Sequence, residues 1–291
     1  MYLNHSSLMK VFLTFFLAIS GIGVFGQRSS MINVGDGAEL YYVEKGKGEV
    51  LIFIPGWTMT TEFFDQQINS LSESYRVVSF DPRSHGRSTK ETEGNTYAQH
   101  AKDLKVLIDA LQLKEVVLIG WSSGCHTVFA YFREFGTANI KSAVLIDETP
   151  KWIGDVNSEW VYGTYEDYHS AVRGILETRR EDAVGIAKWM AARELTQSEL
   201  NWMVDQMLQT PTYAAFMLYI DSLFSDYSSD LIDADKKIPM LVLLRDSWIE
   251  QGRTWLAANA PNAKVRSIKS HLMFWEEPEE FNRKIKTFLT Q

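Results

Sequence analysis

Ser122 sits in the string Gly120-Trp121-Ser122-Ser123-Gly124, which follows the apolar run Val116-Val117-Leu118-Ile119 and leads into Cys125 to Tyr131, a stretch that reads as a helix. A serine at such a strand-to-helix turn is held at strained backbone angles that lift its Oγ above the sheet. The two glycines tolerate the close approach of neighbouring backbone because they lack a Cβ. The chemistry of that placement is nucleophilic attack. The start of the following helix adds partial positive charge, and the Ser123 backbone N–H is placed to donate to a developing oxyanion. Cys125, just beyond, reads as a small buried helix residue because no activating base accompanies it.

Short apolar runs alternate with helical patterns along the rest of the chain, the signature of a mostly parallel sheet covered by helices on both faces. Strands are expected over residues 39–44, 50–54, 76–80, 143–146, 240–244 and 264–268, besides the one that delivers Ser122. Helices are expected over residues 61–72, from Tyr97 onward with Leu104, Leu107, Ile108 and Leu111 at helical spacing, near 251–259 and after Pro278. Between about Trp152 and Asp233 the alternation gives way to a helical stretch rich in Trp, Tyr, Met and Phe, with no convincing strand. Most of these large residues are expected to hold a small helical subdomain together, and a few to form an apolar roof over the serine. His169, in the same stretch, reads as a surface or packing residue.

At 291 residues and 45% hydrophobic content the chain can bury a large core, as one domain with an insertion. A formal charge of −8 leaves no basic stripe for nucleic acid and disfavours anionic membranes. Lys10, the apolar stretch Val11 to Ile19 and the small residues of Ser20 to Gly26 have the layout of a secretory signal over residues 1–26. The apolar run is short of the roughly 20 residues a spanning helix needs, so no stable membrane insertion is expected once the leader is removed. A mature chain of residues 27–291, periplasmic or secreted, follows. Its only cysteine is Cys125, so it forms no internal disulfide.

Four motifs in order then carry a family resemblance. Phe53-Ile54-Pro55-Gly56-Trp57 follows an early strand; Asp81-Pro82-Arg83-Ser84-His85-Gly86-Arg87-Ser88 is similar to an Asp-x-Arg-Gly-x-Gly-x-Ser loop, with Ser84 at the first glycine; the serine turn is the third; and Ser270-His271-Leu272 through Pro278 and Phe281 looks like a closing histidine loop with a proline-started last helix. From about Met31 to the C-terminus the chain resembles the α/β-hydrolase fold family, of the serine hydrolase and esterase-like type. The resemblance implies an α/β fold with a mostly parallel central sheet, flanking helices and an inserted helical cap at about residues 152–233.

A serine hydroxyl needs a base to take its proton. Of the six histidines, His5 is in the leader, His85 is in a turn where the family keeps a structural residue, His100 is near a helix start and His126 turns away with its helix, which leaves His271. The acid that orients it departs from the commonest family pattern: with Ile238-Pro239 in register, Trp248 falls where the acid is usual, and Asp246 is two positions early. The end of the preceding strand offers Asp147, the preferred acid, with Asp246 as the alternative; Glu148 is expected to point the other way. The implied site is Ser122, His271 and Asp147, with the backbone N–H groups of Trp57 and Ser123 as the oxyanion hole. No organic cofactor is implied, and no clustered His, Cys or carboxylate spacing suggests a metal. The expected substrate is a small, apolar ester, lactone or related acyl compound of short or medium length. Two other classes stay open on this scaffold: a cofactor-free dioxygenase or haloperoxidase-like enzyme, and a non-catalytic receptor for a small ligand. No feature of the sequence sets an oligomeric state.

Overall fold

A computed structural model describes residues 26–291. The leader reading falls, but for Gly26, outside the described residues. Eight strands form one sheet in the order β1-β2-β4-β3-β5-β6-β7-β8: β1 (Arg28–Gly35), β2 (Ala38–Lys45), β3 (Val50–Ile54), β4 (Arg76–Phe80), β5 (Val116–Trp121), β6 (Ile140–Ile146), β7 (Met240–Arg245) and β8 (Lys264–Ile268). β2 pairs antiparallel with both β1 and β4, and every other pairing is parallel. β1 is the one strand absent from the sequence reading. Most of its residues are exposed, so as an edge strand it carries no apolar run to detect.

The central strands β3, β5 and β6 are almost continuously buried, as strands with helices on both faces must be. α1 (Asp65–Leu71), α2 (Tyr97–Ala110), α3 (Gly124–Phe135), α9 (Ile249–Asn259), the short α10 (Met273–Glu276) and α11 (Pro278–Leu289) alternate with the strands. The expected helix at residues 61–72 opens as a 3-10 turn over Thr61–Phe64 before it becomes α1. Between β6 and β7 lie five helices, α4 (Tyr165–Glu177), α5 (Arg179–Met190), α6 (Gln197–Leu208), α7 (Thr212–Phe224) and α8 (Ser228–Asp235). Capping boxes start two of them, Thr164 with Asp167 and Thr196 with Glu199, each satisfying orphan N–H groups at the helix end. Two isolated bridges, Lys151 to Asp226 and Ile153 to Gly163, tie the insertion's base. Among the described residues no helix is long and apolar enough to cross a membrane.

Sheet register decides what meets at the site. Ile54 pairs with Gly120, Trp121 with Ile146, and Ile146 with Leu243, so β3, β5, β6 and β7 end side by side. The residues just past those ends are Pro55-Gly56-Trp57, Ser122 and Asp147, beside Arg245 at the last position of β7. The carboxyl ends of parallel strands are where open α/β sheets place their ligands.

Candidate active site

Ser122 has φ of 53°, a left-handed conformation rare for a non-glycine residue. Its N–H donates to the Ile146 carbonyl at 2.8 Å, and its carbonyl accepts from the Cys125 N–H at 2.7 Å, so both sides of the turn are pinned. The glycines around it are required by contact. A Cβ on Gly124 would meet the Ile54 and Pro55 carbonyl oxygens at 2.4 and 2.7 Å, and one on Gly56 would meet the Ser122 Cβ at 2.9 Å. The Trp57 and Ser123 N–H groups have no intramolecular acceptor among the described residues, which leaves both free to donate beside Ser122. The Trp57 indole both lines the cavity and packs: its Nε1–H donates to the Ala215 carbonyl of α7 at 2.8 Å.

His271 follows β8 and is 3% exposed. Its carbonyl accepts from Trp121 Nε1–H at 3.0 Å, and the next N–H, that of Leu272, donates to the Met190 carbonyl of α5. Its Nδ1 lies 2.7 Å from Asp147 Oδ2, and since a carboxylate only accepts, Nδ1 carries the proton and Nε2 is left for the serine side. Asp147 is fully buried, with φ of 53° just past β6, and the structure pairs it with His271 in preference to Asp246. Asp246 is exposed, and its backbone N–H is spent on the Ile268 carbonyl.

Asp147 has a second partner that the sequence reading missed. Arg245 donates its backbone N–H to Oδ1 at 3.0 Å and its Nη1 to Oδ2 at 2.5 Å. Burial alone would raise the Asp147 carboxyl, but the His271 hydrogen bond and charge, joined by Arg245, hold it below the usual carboxylate range. Burial pushes His271 below its ordinary value; the Asp147 hydrogen bond and charge oppose this, and Arg245 adds to the lowering. Glu148 makes no hydrogen bond to His271 among the described residues. It is fully buried, accepts from the Thr149 N–H at 2.9 Å and Trp152 Nε1–H at 3.1 Å, and burial pushes its carboxyl up to about 8.

Ser122 and His271 open on a cavity of about 580 Å³ roofed by the insertion, with Trp152, Tyr168, Trp189 and Tyr219 among its walls. Trp189 stands 4.9 Å from the His271 ring and is half exposed. Among the described residues no group of three or more His, Cys, Asp or Glu is placed to hold a metal ion.

The match to known proteins covers residues 49–185, which fit the family described as the alpha/beta hydrolase fold. The chain has the α/β-hydrolase fold. It is 28% identical over 275 residues to the non-heme chloroperoxidase CPO-A1 of Kitasatospora aureofaciens, across 88% of this chain and 98% of that protein. The bromoperoxidase of Bacillus anthracis shares its fold at a TM-score of 0.83 and 24% identity, over 91% of this chain and 100% of that one. The esterase of Exiguobacterium antarcticum does so at 0.82 and 21% identity, with the same coverage.

The remaining buried histidines serve the fold. His85 accepts the Thr58 N–H at Nε2 (2.9 Å) and donates from Nδ1 to the Arg83 carbonyl (3.0 Å), holding the turn that presents Trp57. His126 bonds the Thr149 carbonyl at 3.2 Å, and His100 packs 5.5 Å from the His85 ring. Burial lowers their pKa values to about 3 for His85, about 3 for His100 and about 4 for His126. Below the ordinary value of about 6.5 the unfolded chain binds protons that these native imidazoles refuse, so each lowers stability by up to about 1.4 kcal/mol per pH unit as pH falls. Glu148, whose raised carboxyl holds its proton in the native state, opposes one of the three between about pH 8 and pH 4.5. Net loss remains. The urea midpoint at pH 5 is expected well below that at pH 7; equal midpoints would show that the histidines are not buried neutral.

Proposed function

We propose that this α/β-hydrolase cleaves a small or medium ester, lactone or related acyl substrate through an acyl-enzyme on Ser122. The observation that carries the reading is Ser122 at φ 53° past the end of β5, opening on the same cavity as His271, whose Nδ1 is tied to buried Asp147 at 2.7 Å. Ser122 Oγ attacks the carbonyl carbon while His271 Nε2 takes its proton, and Asp147 stabilises the imidazolium. The Trp57 and Ser123 N–H groups hold the oxyanion, each such donor contributing about 2.7 to 4 kcal/mol to the transition state. As the tetrahedral intermediate collapses, the bond to the leaving oxygen breaks and His271 returns the proton to it. Water then repeats the sequence on the acyl-enzyme, releasing the carboxylic acid and free Ser122.

A second reading has support from the relative named a chloroperoxidase, aligned over 98% of its own length. In it, hydrogen peroxide replaces water as the acceptor of the acyl group. The product is a peroxycarboxylic acid, which then transfers its terminal oxygen to halide and leaves as the carboxylate. This route uses the same acyl-enzyme.

The deciding experiment is intact-mass labelling of the mature protein with a fluorophosphonate, beside Ser122→Ala and turnover of p-nitrophenyl esters with water or peroxide as acceptor. Stoichiometric labelling lost in the alanine variant, with ester turnover, is the expected result. Folded protein that neither labels nor turns over would overturn the reading in favour of oxygen chemistry or ligand binding without reaction. On the leader reading the mature chain is placed in the periplasm or outside the cell, and the same intact mass, taken on protein exported through its own leader, is expected to match a start at Gln27.

A further inference from the structure

Arg245 is a charged residue at the end of a strand whose other five residues, Met240 to Leu244, are all buried and apolar. Only 18% of its side chain is exposed, and its guanidinium is enclosed by aromatic rings, 4.7 Å from the Trp248 centroid and 5.0 Å from that of Trp189. Among the described residues its one anionic contact is the Asp147 Oδ2 that already accepts from His271. A single carboxylate oxygen is therefore divided between a guanidinium and an imidazole. Nε and Nη2 have no acceptor among the described residues, yet the side chain lines the cavity with Ser122 and His271.

For a neutral substrate this arrangement works against catalysis. The imidazolium that must form on His271 faces a neighbouring cation and shares its counterion with it. Glu148, the other carboxyl beside Asp147, keeps its proton at neutral pH and so lends no full second negative charge. A carboxylate carried by the substrate would change the balance, because it would pair with the free edge of the guanidinium, offset its charge and return Asp147 to His271. Arg presents N–H groups in a rigid fork that suits a carboxylate, and the aromatic enclosure keeps water from screening the pair.

We infer that Arg245 anchors a carboxylate on the substrate, so that the preferred acyl substrates of this site are anionic. The inference rests on the acyl-transfer reading for its kinetic arm only. That arm compares kcat/KM for the p-nitrophenyl half-ester of glutaric acid with that for its neutral primary-amide counterpart of the same shape. A preference for the carboxylate of about tenfold or more is expected, in line with a charge-assisted hydrogen bond. Arg245→Gln is expected to bring the ratio near one, and Arg245→Lys to keep part of it. Since Arg245 also touches Asp147, its variants lower both rates, and the ratio removes that common loss. The second arm is calorimetry of glutarate and of the neutral diamide glutaramide binding to Ser122→Ala, which needs neither turnover nor an Arg245 variant. Tighter binding of glutarate is expected there. Hydrolysis of both esters at equal efficiency, with equal binding, would overturn the anchor and leave the hydrolase intact. Preferential glutarate binding without any ester turnover would keep the anchor and sink the acyl-transfer reading.

Discussion

Asp147→Asn is expected to lower kcat on an ester substrate by about 10⁴-fold, with little change in KM, while Asp246→Asn stays within about twofold of the parent. The Asp147 carboxylate accepts the Nδ1–H of His271 at 2.7 Å from a fully buried position. An amide there offers His271 either a carbonyl with no charge or an NH₂ group that favours the wrong tautomer, so Nε2 no longer stands ready to take the serine proton. Asp246 is exposed. The substitution also weakens the Arg245 contact, so its urea midpoint must be measured beside the rate to establish that folded enzyme is being compared. An Asp147→Asn enzyme within tenfold of the parent would remove Asp147 from the acid's role.

The acid also shows where sequence reasoning reaches its end. The serine turn was legible because three constraints, an apolar strand, paired glycines and a following helix, fall within twenty residues of one another. Asp147 and Asp246 could be told apart only as a preference, because each stands near the end of a strand, and their difference lies in sheet register and backbone angle. Asp147 turns left-handed at φ 53° just past the strand end, and Glu148 beside it is also fully buried. Arg245 was illegible for a related reason. A cation at a strand end reads as a solvated terminus, and only the pairing of β7 beside β6 brings it onto Asp147. Within the insertion, composition pointed to a helical roof but not to its inner face. Trp152, Tyr168 and Tyr219 face the cavity, Trp160, Met203 and Met207 are buried, and Tyr213, Met217 and Phe224 are exposed. That sorting depends on how five helices pack together, which no local pattern encodes.

Breaking the Arg83–Asp103 pair is expected to destabilise the fold by about 3 to 5 kcal/mol, the largest stability loss predicted for a single substitution in this chain. Arg83 Nε and Nη2 reach the two Asp103 oxygens at 2.8 and 2.9 Å, with side chains 4% and 1% exposed. Asp103→Leu leaves a buried guanidinium without its counterion, whereas Arg83→Met with Asp103→Leu removes both charges and should recover most of the loss. Urea midpoints of the two single variants and the double variant read the difference; additive losses would show that the charges do not act as a pair. The consequence extends to the site. The Arg83 carbonyl accepts from His85 Nδ1–H, and His85 Nε2 accepts the Thr58 N–H one residue after Trp57, so the ion pair holds the turn that presents the Trp57 N–H. Ser84 takes the left-handed angle of that loop at φ 65°, where the family pattern has glycine, and its hydroxyl offsets the strain by bonding both the N–H and the carbonyl of Glu91. The loop's Arg-Ser-His core therefore acts as a brace for Trp57, and a variant that unseats Arg83 without unfolding the sheet should lose kcat before it loses substrate binding.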